Sequence, residues 1–150
     1  MTDEGTLVGI LTDRDVRRAA ASDAPPMAEH ELLSLLDKLC VRDVMTPEVV
    51  TVYGTTPVVE AGQIFLQKKF GGLPVVRDNH TLEGMITVTD LLRAYIAQSD
   101  AKRRVDVGSM RQTQVITATP TMSLAEVQRM MRDNNIRHVP VIPDFTTSVA

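Results

Sequence analysis

Residues 49–76, VVTVYGTTPVVEAGQIFLQKKFGGLPVV, decide the fold because the chain repeats them without a gap 66 residues later, as VITATPTMSLAEVQRMMRDNNIRHVPVI at residues 115–142. The middle copy continues as LEGMITVTDLLRA at residues 82–94. The later copy stops at Pro143 without this continuation, and its counterpart, LVGILTDRDVRRA, stands at residues 7–19 instead. The chain therefore contains two copies of one element group, a continuous middle copy and a divided copy.

Hydrophobic spacing predicts one order of elements in both copies: strand, helix, strand, strand, helix. In the middle copy these elements lie at residues 49–52, 57–69, 73–76, 82–87 and 88–97. In the divided copy they lie at residues 115–118, 123–134, 139–142, 7–11 and 13–21. A further amphipathic helix, over residues 30–39, is expected to pack on the core. The mixture predicts an α/β fold of the α+β type.

The first helix of each copy has an apolar face that is expected to point inward. In the middle copy this face consists of Val58, Ala61, Ile64, Phe65 and Leu66. In the divided copy it consists of Leu124, Val127, Met130 and Met131.

Composition excludes several classes of protein. The net charge is -3 and the longest basic run spans residues 102–104, so neither a nucleic acid nor a membrane surface is indicated as a partner. No stretch approaches the roughly 20 apolar residues that span a bilayer, and no signal peptide precedes the first motif, which predicts a cytoplasmic protein. The single Cys40 has no metal-ligand spacing, so no metal is predicted. No catalytic set or phosphate-binding glycine loop occurs, which predicts a protein that is not an enzyme.

Several motifs resemble the CBS motif, the cystathionine-β-synthase-type repeat. Its opening is similar to VRDVMTP at residues 41–47, followed by VTV at 50–52. Its central strand is similar to LPVV at residues 73–76 and VPVI at 139–142, and its Gly-apolar-apolar-Thr-x-x-Asp signature is similar to GILTDRD and GMITVTD, which begin at Gly9 and Gly84. The matching order and spacing make the resemblance specific, and it covers nearly everything except the linker, the tail and residues 20–39.

The resemblance implies a tandem pair of CBS motifs, a Bateman module, whose motifs pack through their sheets and whose cleft binds adenine nucleotides. Residues 1–150 then form a single module. The continuous motif covers residues 41–97, the split motif covers 107–143 plus 1–22, and the linker covers 98–106.

The candidate ligand sites lie where a strand runs into a helix, because free backbone N–H groups and the positive end of the helix dipole favour phosphate there. A threonine before the helix can donate to the phosphate, and an aspartate one turn later can accept the ribose hydroxyls. Apolar residues beside a proline can form a slot for the adenine ring. The composite site of the divided copy consists of Thr12, Asp15, Ile116, Arg137, His138 and Pro140, and the continuous site of the middle copy consists of Val50, Pro74, Thr87 and Asp90.

The same Thr-x-x-Asp spacing is also a helix capping box. Ser123 and Glu126 have that form too, and no ligand is assigned to them. The sequence leaves both interpretations open for each threonine and aspartate pair.

The two sites are not expected to be equal. The divided copy has Arg137-His138 before its central strand, where the resemblance places cations near the nucleotide phosphates, whereas the middle copy has Gly71-Gly72. Arg137 suits phosphate as a planar charged donor, while His138 is equally compatible with a partly buried, hydrogen-bonded histidine. We therefore expect the composite site to bind more tightly than the continuous site.

Three histories explain the divided copy: a circular permutation, a piece of a longer array, or exchange in trans, in which residues 1–19 complete the copy of a neighbouring chain. Completion within one chain is the favoured prediction.

The sequence thus predicts a non-catalytic regulatory module that binds AMP, ADP, ATP or S-adenosylmethionine and forms a homodimer. The alternatives are a ligand-free oligomerisation scaffold and a fragment of a larger CBS-containing protein.

Overall fold

The structure, a computed structural model, describes residues 5–21, 29–97 and 107–143. Its strands are β1 (Gly9–Thr12), β2 (Val52–Tyr53), β3 (Gly72–Val76), β4 (Leu82–Thr87) and β5 (His138–Val141). Its helices are α1 (Asp13–Ala21), α2 (Glu29–Lys38), α3 (Val41–Val44), α4 (Val58–Lys68), α5 (Val88–Ala97), α6 (Val107–Met110) and α7 (Leu124–Asn134). The predicted linker at residues 98–106 and residues 1–4 and 22 of the predicted split motif lie outside the described residues.

The chain divides into two compact units. Unit 1 contains residues 1–49 and 116–150, and unit 2 contains residues 50–115. The expected α/β fold is confirmed in both, since each combines β-strands with packed helices.

Unit 1 brings the two parts of the divided copy together within one chain. Strand β1 pairs antiparallel with β5, so that Gly9 lies opposite Val141 and Thr12 lies opposite His138. The backbone N–H of Val8 extends this pairing by donating to the Val141 carbonyl at 2.9 Å. The N-terminal segment therefore fills the place that the continuation of the later copy would take.

Unit 2 contains the continuous equivalent. Its three-stranded sheet has the order β2-β3-β4, with β2 parallel and β4 antiparallel to β3. Gly72 lies opposite Thr87 at one end of the β3–β4 pair, as His138 lies opposite Thr12 in unit 1.

The predicted first strand of each copy is too long. Residues 115–118 form no strand, and of these only Ala118 forms a bridge, to Val141. The Ala118 N–H donates to the Pro140 carbonyl, and the Ala118 carbonyl accepts from the Ile142 N–H, both at 3.0 Å. The next bond toward the N-terminus of a parallel ladder would need an N–H from Pro140, which proline lacks. The same register places Val52 opposite Val75 beside Pro74, and β2 accordingly begins at Val52 instead of Val49.

The opening segment of each copy packs in the unit that contains most of the other copy. In unit 1, residues 41–46 lie along β1, where Ile10 and Thr46 exchange backbone hydrogen bonds of 3.0 and 2.9 Å. In unit 2, residues 107–112 lie along β4, where Met85 and Gln112 exchange bonds of 3.0 and 2.8 Å. Helices α3 and α6, which the sequence analysis did not predict, begin these segments.

Each unit has its own hydrophobic core. The core of unit 1 joins Leu11 of β1 to Val139 of β5 and to α7, and the predicted amphipathic helix is confirmed as α2, whose fully buried Leu36 belongs to this core. The core of unit 2 is built around Phe65, Val75 and Ile86. One predicted inward residue is wrong: Leu66 is 82% exposed, because α4 turns it away from the sheet that Ala61 and Phe65 cover.

The close contact between β4 and residues 107–112 leaves no room for a side chain at Gly84. A Cβ there would lie 2.6 Å from the Gln112 carbonyl oxygen, whereas a Cβ at Gly62 would have Leu91 Cδ1 as its nearest atom, at 3.7 Å. We expect Gly84→Ala to lower the free energy of unfolding by about 1–3 kcal/mol, measured by urea denaturation. The control Gly62→Ala lies inside α4 and should stabilise by up to about 1 kcal/mol. Equal midpoints for both variants would contradict this packing.

Candidate functional site

The composite site begins where β1 runs directly into α1. Asp15 Oδ2 accepts from the backbone N–H of Thr12 at 2.9 Å and from the Thr12 hydroxyl at 3.0 Å. The Asp15 N–H donates to the Thr12 hydroxyl oxygen at 3.2 Å. The pair therefore forms a reciprocal capping box, and the Thr12 hydroxyl proton is engaged in positioning the carboxylate.

Strand β5 carries two further predicted residues to the same place. His138 lies directly opposite Thr12, and the Asp13 N–H donates to the Arg137 carbonyl at 3.0 Å. The N–H groups of Asp13 and Asp15 thus have protein acceptors and are not available to an anion, and the side chain of Arg137 is the predicted charged donor. That side chain is exposed and forms no ion pair with the described residues.

The predicted adenine slot is less open than the rest of the site. Pro140 lies opposite Ile10 and is buried, while Ile116 is half-buried and precedes the bridge from Ala118 to β5. Pro74 is likewise buried in unit 2, and Val50 packs as a half-buried side chain against the core of that unit.

The continuous site repeats the capping box. Asp90 Oδ2 accepts from the Thr87 N–H at 2.8 Å and from the Thr87 hydroxyl at 3.0 Å, and the Asp90 N–H donates to that hydroxyl oxygen at 3.3 Å. The Val88 N–H donates to the Gly71 carbonyl at 3.1 Å, as the Asp13 N–H donates to Arg137. The backbone frame is therefore the same in both sites.

The second carboxylate oxygen distinguishes the two aspartates. Asp90 is only 4% exposed, and its Oδ1 accepts from Gln112 Nε2 at 3.2 Å and lies 3.9 Å from Arg93 Nη1. Asp15 is half-buried, and its Oδ1 accepts no hydrogen bond within the described ranges. Asp15 therefore keeps an acceptor for a ligand, whereas Asp90 would have to give up Gln112.

Gln112 is the residue that sequence reasoning missed. It lies 22 positions after Asp90, in the opening segment of the other copy. A signal existed in the 66-residue offset, which aligns Gln112 with Thr46. The hydrogen bond itself depends on packing of that segment against β4, which no local pattern reports.

The electrostatics of the composite site centre on His138. Burial lowers the pKa of His138 below its ordinary value, the Asp13 carboxylate raises it, Arg137 lowers it further, and Asp15 raises it. The net direction is downward, so the imidazole favours its neutral form. A bound anion would oppose this shift by favouring the charged form.

The described residues contain neither a metal-binding cluster nor a membrane-spanning helix. No group of three or more His, Cys, Asp or Glu side chains there is placed to hold a metal ion. Among the helices that the structure describes, none has the length and apolar character needed to cross a bilayer.

Comparison with known families gives two matches in this chain. The model of the CBS domain matches residues 41–97 and again residues 106–147. The matched ranges contain the middle copy and the C-terminal part of the divided copy, and the N-terminal segment with Thr12 and Asp15 lies outside them.

Similar proteins extend this picture. The protein MJ1225 of Methanocaldococcus jannaschii, described as uncharacterized, is 36% identical over 143 residues, which are 92% of this chain and 50% of that protein. The chain thus spans about half the length of this curated relative. Among solved structures, CBSX2 in complex with AMP superposes with a TM-score of 0.60 and 29% identity over 69% of this chain and 82% of its own. The CBS domain pair of protein MJ0100 in complex with 5′-methylthioadenosine and S-adenosyl-L-methionine superposes with a TM-score of 0.63 and 25% identity. The match covers 71% of this chain and 82% of that chain.

The lowered pKa of His138 makes the stability of unit 1 depend on pH. The unfolded chain protonates this residue near the ordinary value of 6.5, at a higher pH than the folded chain does. The stability that depends on neutral His138 is therefore fully present above that value and is lost as the pH falls through the lower folded value. We expect urea denaturation to show a larger loss for the wild type than for His138→Gln between about pH 7.5 and about pH 5. Parallel pH curves for the two proteins would contradict the burial effect.

Proposed function

Because the chain belongs to the CBS domain family, we propose that it is a non-catalytic regulatory module that binds an adenine nucleotide or another adenosyl ligand at its composite site. The observation that carries this proposal is that, among the described residues, Asp15 Oδ1 accepts no hydrogen bond and Arg137 forms no ion pair, in two segments joined by the bond from the Asp13 N–H to the Arg137 carbonyl. Similar CBS pairs crystallised with AMP, or with 5′-methylthioadenosine and S-adenosyl-L-methionine, support the adenosyl class of ligand.

Each part of an adenosyl ligand has a counterpart in the composite site. Asp15 Oδ1 accepts the ribose hydroxyls, since Oδ2 is held by Thr12. Arg137 binds the phosphate as a charged donor, and His138 lies beside it at the start of β5. The half-buried Ile116 covers one face of the adenine ring. Pro140 is buried and lines the bottom of the adenine slot.

The continuous site is the weaker of the two on this proposal. Gly71 and Gly72 stand where Arg137 and His138 stand in the divided copy, so neither of these positions offers a side chain to a phosphate. Asp90 must exchange its hydrogen bond from Gln112 for one from ribose, and the gain in free energy is correspondingly smaller.

The proposal includes two further features of the sequence-based hypothesis. The module acts in the cytoplasm, and it forms a homodimer through which a bound ligand is communicated to a partner. AMP, ADP, ATP and S-adenosylmethionine are all candidate ligands, with a phosphorylated compound favoured by the charge of Arg137.

A ligand-free scaffold is the second candidate function. The observation that favours it is the reciprocal capping of α1 and α5, which gives Thr12, Asp15, Thr87 and Asp90 a structural role without any ligand. On this alternative the paired units serve oligomerisation only.

Thermal shift and calorimetry separate the two functions. A ligand that binds the folded chain must raise the melting temperature by mass action, so AMP, ADP, ATP or S-adenosylmethionine at millimolar concentration should raise it for a binding module and leave it unchanged for a scaffold. We expect Asp15→Ala to weaken binding of the effective ligand by about tenfold or more. Asp90→Ala is the matched control, because it removes an equivalent cap from α5. Equal losses, or a loss for Asp90→Ala alone, would contradict the expected ranking of the two sites.

Exchange of the cation between the copies tests the phosphate contact. Arg137→Gly installs the residue of the middle copy and should weaken AMP binding by about 10- to 100-fold, since a charge-assisted hydrogen bond is lost. The affinity for 5′-methylthioadenosine, which has no phosphate, should change much less. The reciprocal variant Gly71→Arg should strengthen AMP binding at the continuous site. A loss of the same size for both ligands would show that Arg137 acts on the fold and not on the phosphate.

A further inference from the structure

Gln112 donates to the one carboxylate oxygen of the continuous site that the helix cap leaves available. Oδ2 of Asp90 accepts from the N–H and the hydroxyl of Thr87, and Oδ1 accepts from Gln112 Nε2 at 3.2 Å. An amide N–H needs the same kind of acceptor as a ribose hydroxyl does. Both oxygens of Asp90 are therefore engaged by donors of the chain itself.

The composite site has a different residue at the equivalent position. The repeat aligns Gln112 with Thr46 and Met85 with Ile10. Thr46 and Ile10 exchange backbone hydrogen bonds of 2.9 and 3.0 Å, as Gln112 and Met85 exchange bonds of 2.8 and 3.0 Å. Both side chains thus leave an equivalent backbone position, but the shorter Thr46 donates no hydrogen bond to Asp15 within the described ranges.

The backbone beneath Gln112 is held by other bonds of the same segment. The N–H of Gly108 donates to the Gly54 carbonyl at 2.7 Å. Next to Gln112, Arg111 Nη2 lies 3.1 Å from Glu83 Oε1, and both members of this ion pair are largely buried. Gln112 itself is exposed. A ligand at Asp90 would therefore have to displace the Gln112 amide while the segment stays in place.

The burial of the two aspartates agrees with this difference. Asp90 is 4% exposed, whereas Asp15, which has the same cap, is half-buried. A ligand hydroxyl that meets Asp90 replaces an existing hydrogen bond, so the net gain in free energy is small. A hydroxyl that meets Asp15 Oδ1 adds a hydrogen bond to a charged acceptor, which is among the stronger kinds.

We propose that Gln112 determines the sugar specificity of the continuous site. Its amide takes the place of a ribose hydroxyl on Asp90, so binding at this site does not depend on the ribose hydroxyls, whereas binding at the composite site with Thr46 does. The inference rests on the proposed function and adds the residue that sets recognition of the sugar. It is independent of the difference in cations, because Arg137 is assigned to the phosphate.

Calorimetry with AMP and 2′,3′-dideoxy-AMP, which lacks both ribose hydroxyls, tests the inference. The ratio of the two dissociation constants cancels the phosphate and adenine contacts that the ligands share. Asp15→Ala isolates the continuous site, where the ratio should be about one while Gln112 is present. Adding Gln112→Thr, which installs the residue of the composite site, should raise the ratio about tenfold and should tighten AMP binding. Loss of a purely structural contact would not increase affinity.

The reciprocal change tests the equivalent position of the composite site, isolated by Asp90→Ala. Thr46→Gln should lower the ratio there from about ten to about one, because the new amide reaches Asp15 Oδ1. Gln114→Thr is the matched control for Gln112→Thr. It makes the same change at an exposed residue of the same strand-less stretch, and it should leave both the ratio and the AMP affinity of the continuous site unchanged.

The other outcomes separate the inference from the proposed function. If Gln112→Thr leaves the ratio unchanged while the composite site binds AMP, the inference is overturned and the proposed function stands. A ratio well above one with Gln112 in place would also overturn it, since Asp90 would then bind ribose despite the amide. Failure of the unaltered chain to bind AMP counts against the proposed function, and failure of the Asp15→Ala, Gln112→Thr chain as well would overturn the inference with it. Far-UV circular dichroism verifies the fold of each variant, and Thr46→Gln keeps the inference testable if Gln112→Thr does not fold.

Discussion

Antiparallel pairing of β1 with β5 is the interaction on which unit 1 depends. It joins segments from opposite ends of the sequence, buries Leu11 and Val139 in one core, and sets Thr12 opposite His138. The same register brings the Asp13 N–H to the Arg137 carbonyl. This pairing holds the segment with Arg137 next to the segment with Asp15, so the proposed ligand site and the closure of the divided copy depend on the same hydrogen bonds.

Identical backbone frames can still give unequal sites. Both helix starts are capped by a threonine and an aspartate in the same geometry. The difference arises in the segments that pack beside the caps. Gln112 donates to the second oxygen of Asp90, whereas Asp15 has no such partner among the described residues. A helix cap and a ligand acceptor are therefore compatible roles, because a carboxylate has two oxygens and the cap needs only one.

The repeated structure also separates what the copies share from what each uses alone. Prolines at equivalent positions end the parallel pairing at Val52 and at Ala118, and the opening segments make equivalent backbone bonds in both units. The helical surfaces also differ, since α2 packs on α7 and α1 in unit 1, whereas Leu66 and Leu92 of unit 2 are exposed. The two copies differ in where a cation is placed, in whether the aspartate has a free oxygen, and in which apolar side chains are exposed. The functional hypotheses rest on the first two of these differences.

The sequence by itself determined the repeat and the starts of the long helices, because hydrophobic spacing and capping residues act over a few neighbouring positions, but it missed the short helices α3 and α6. It also placed Thr12 and His138 in one site through the resemblance between copies. Only the tertiary structure decided that Leu66 faces solvent, that the first strands shorten beside Pro74 and Pro140, and that Gln112 holds Asp90. These outcomes depend on contacts between backbone groups and side chains that are distant in the sequence. Such contacts are determined by the packing of the whole unit and not by a local pattern.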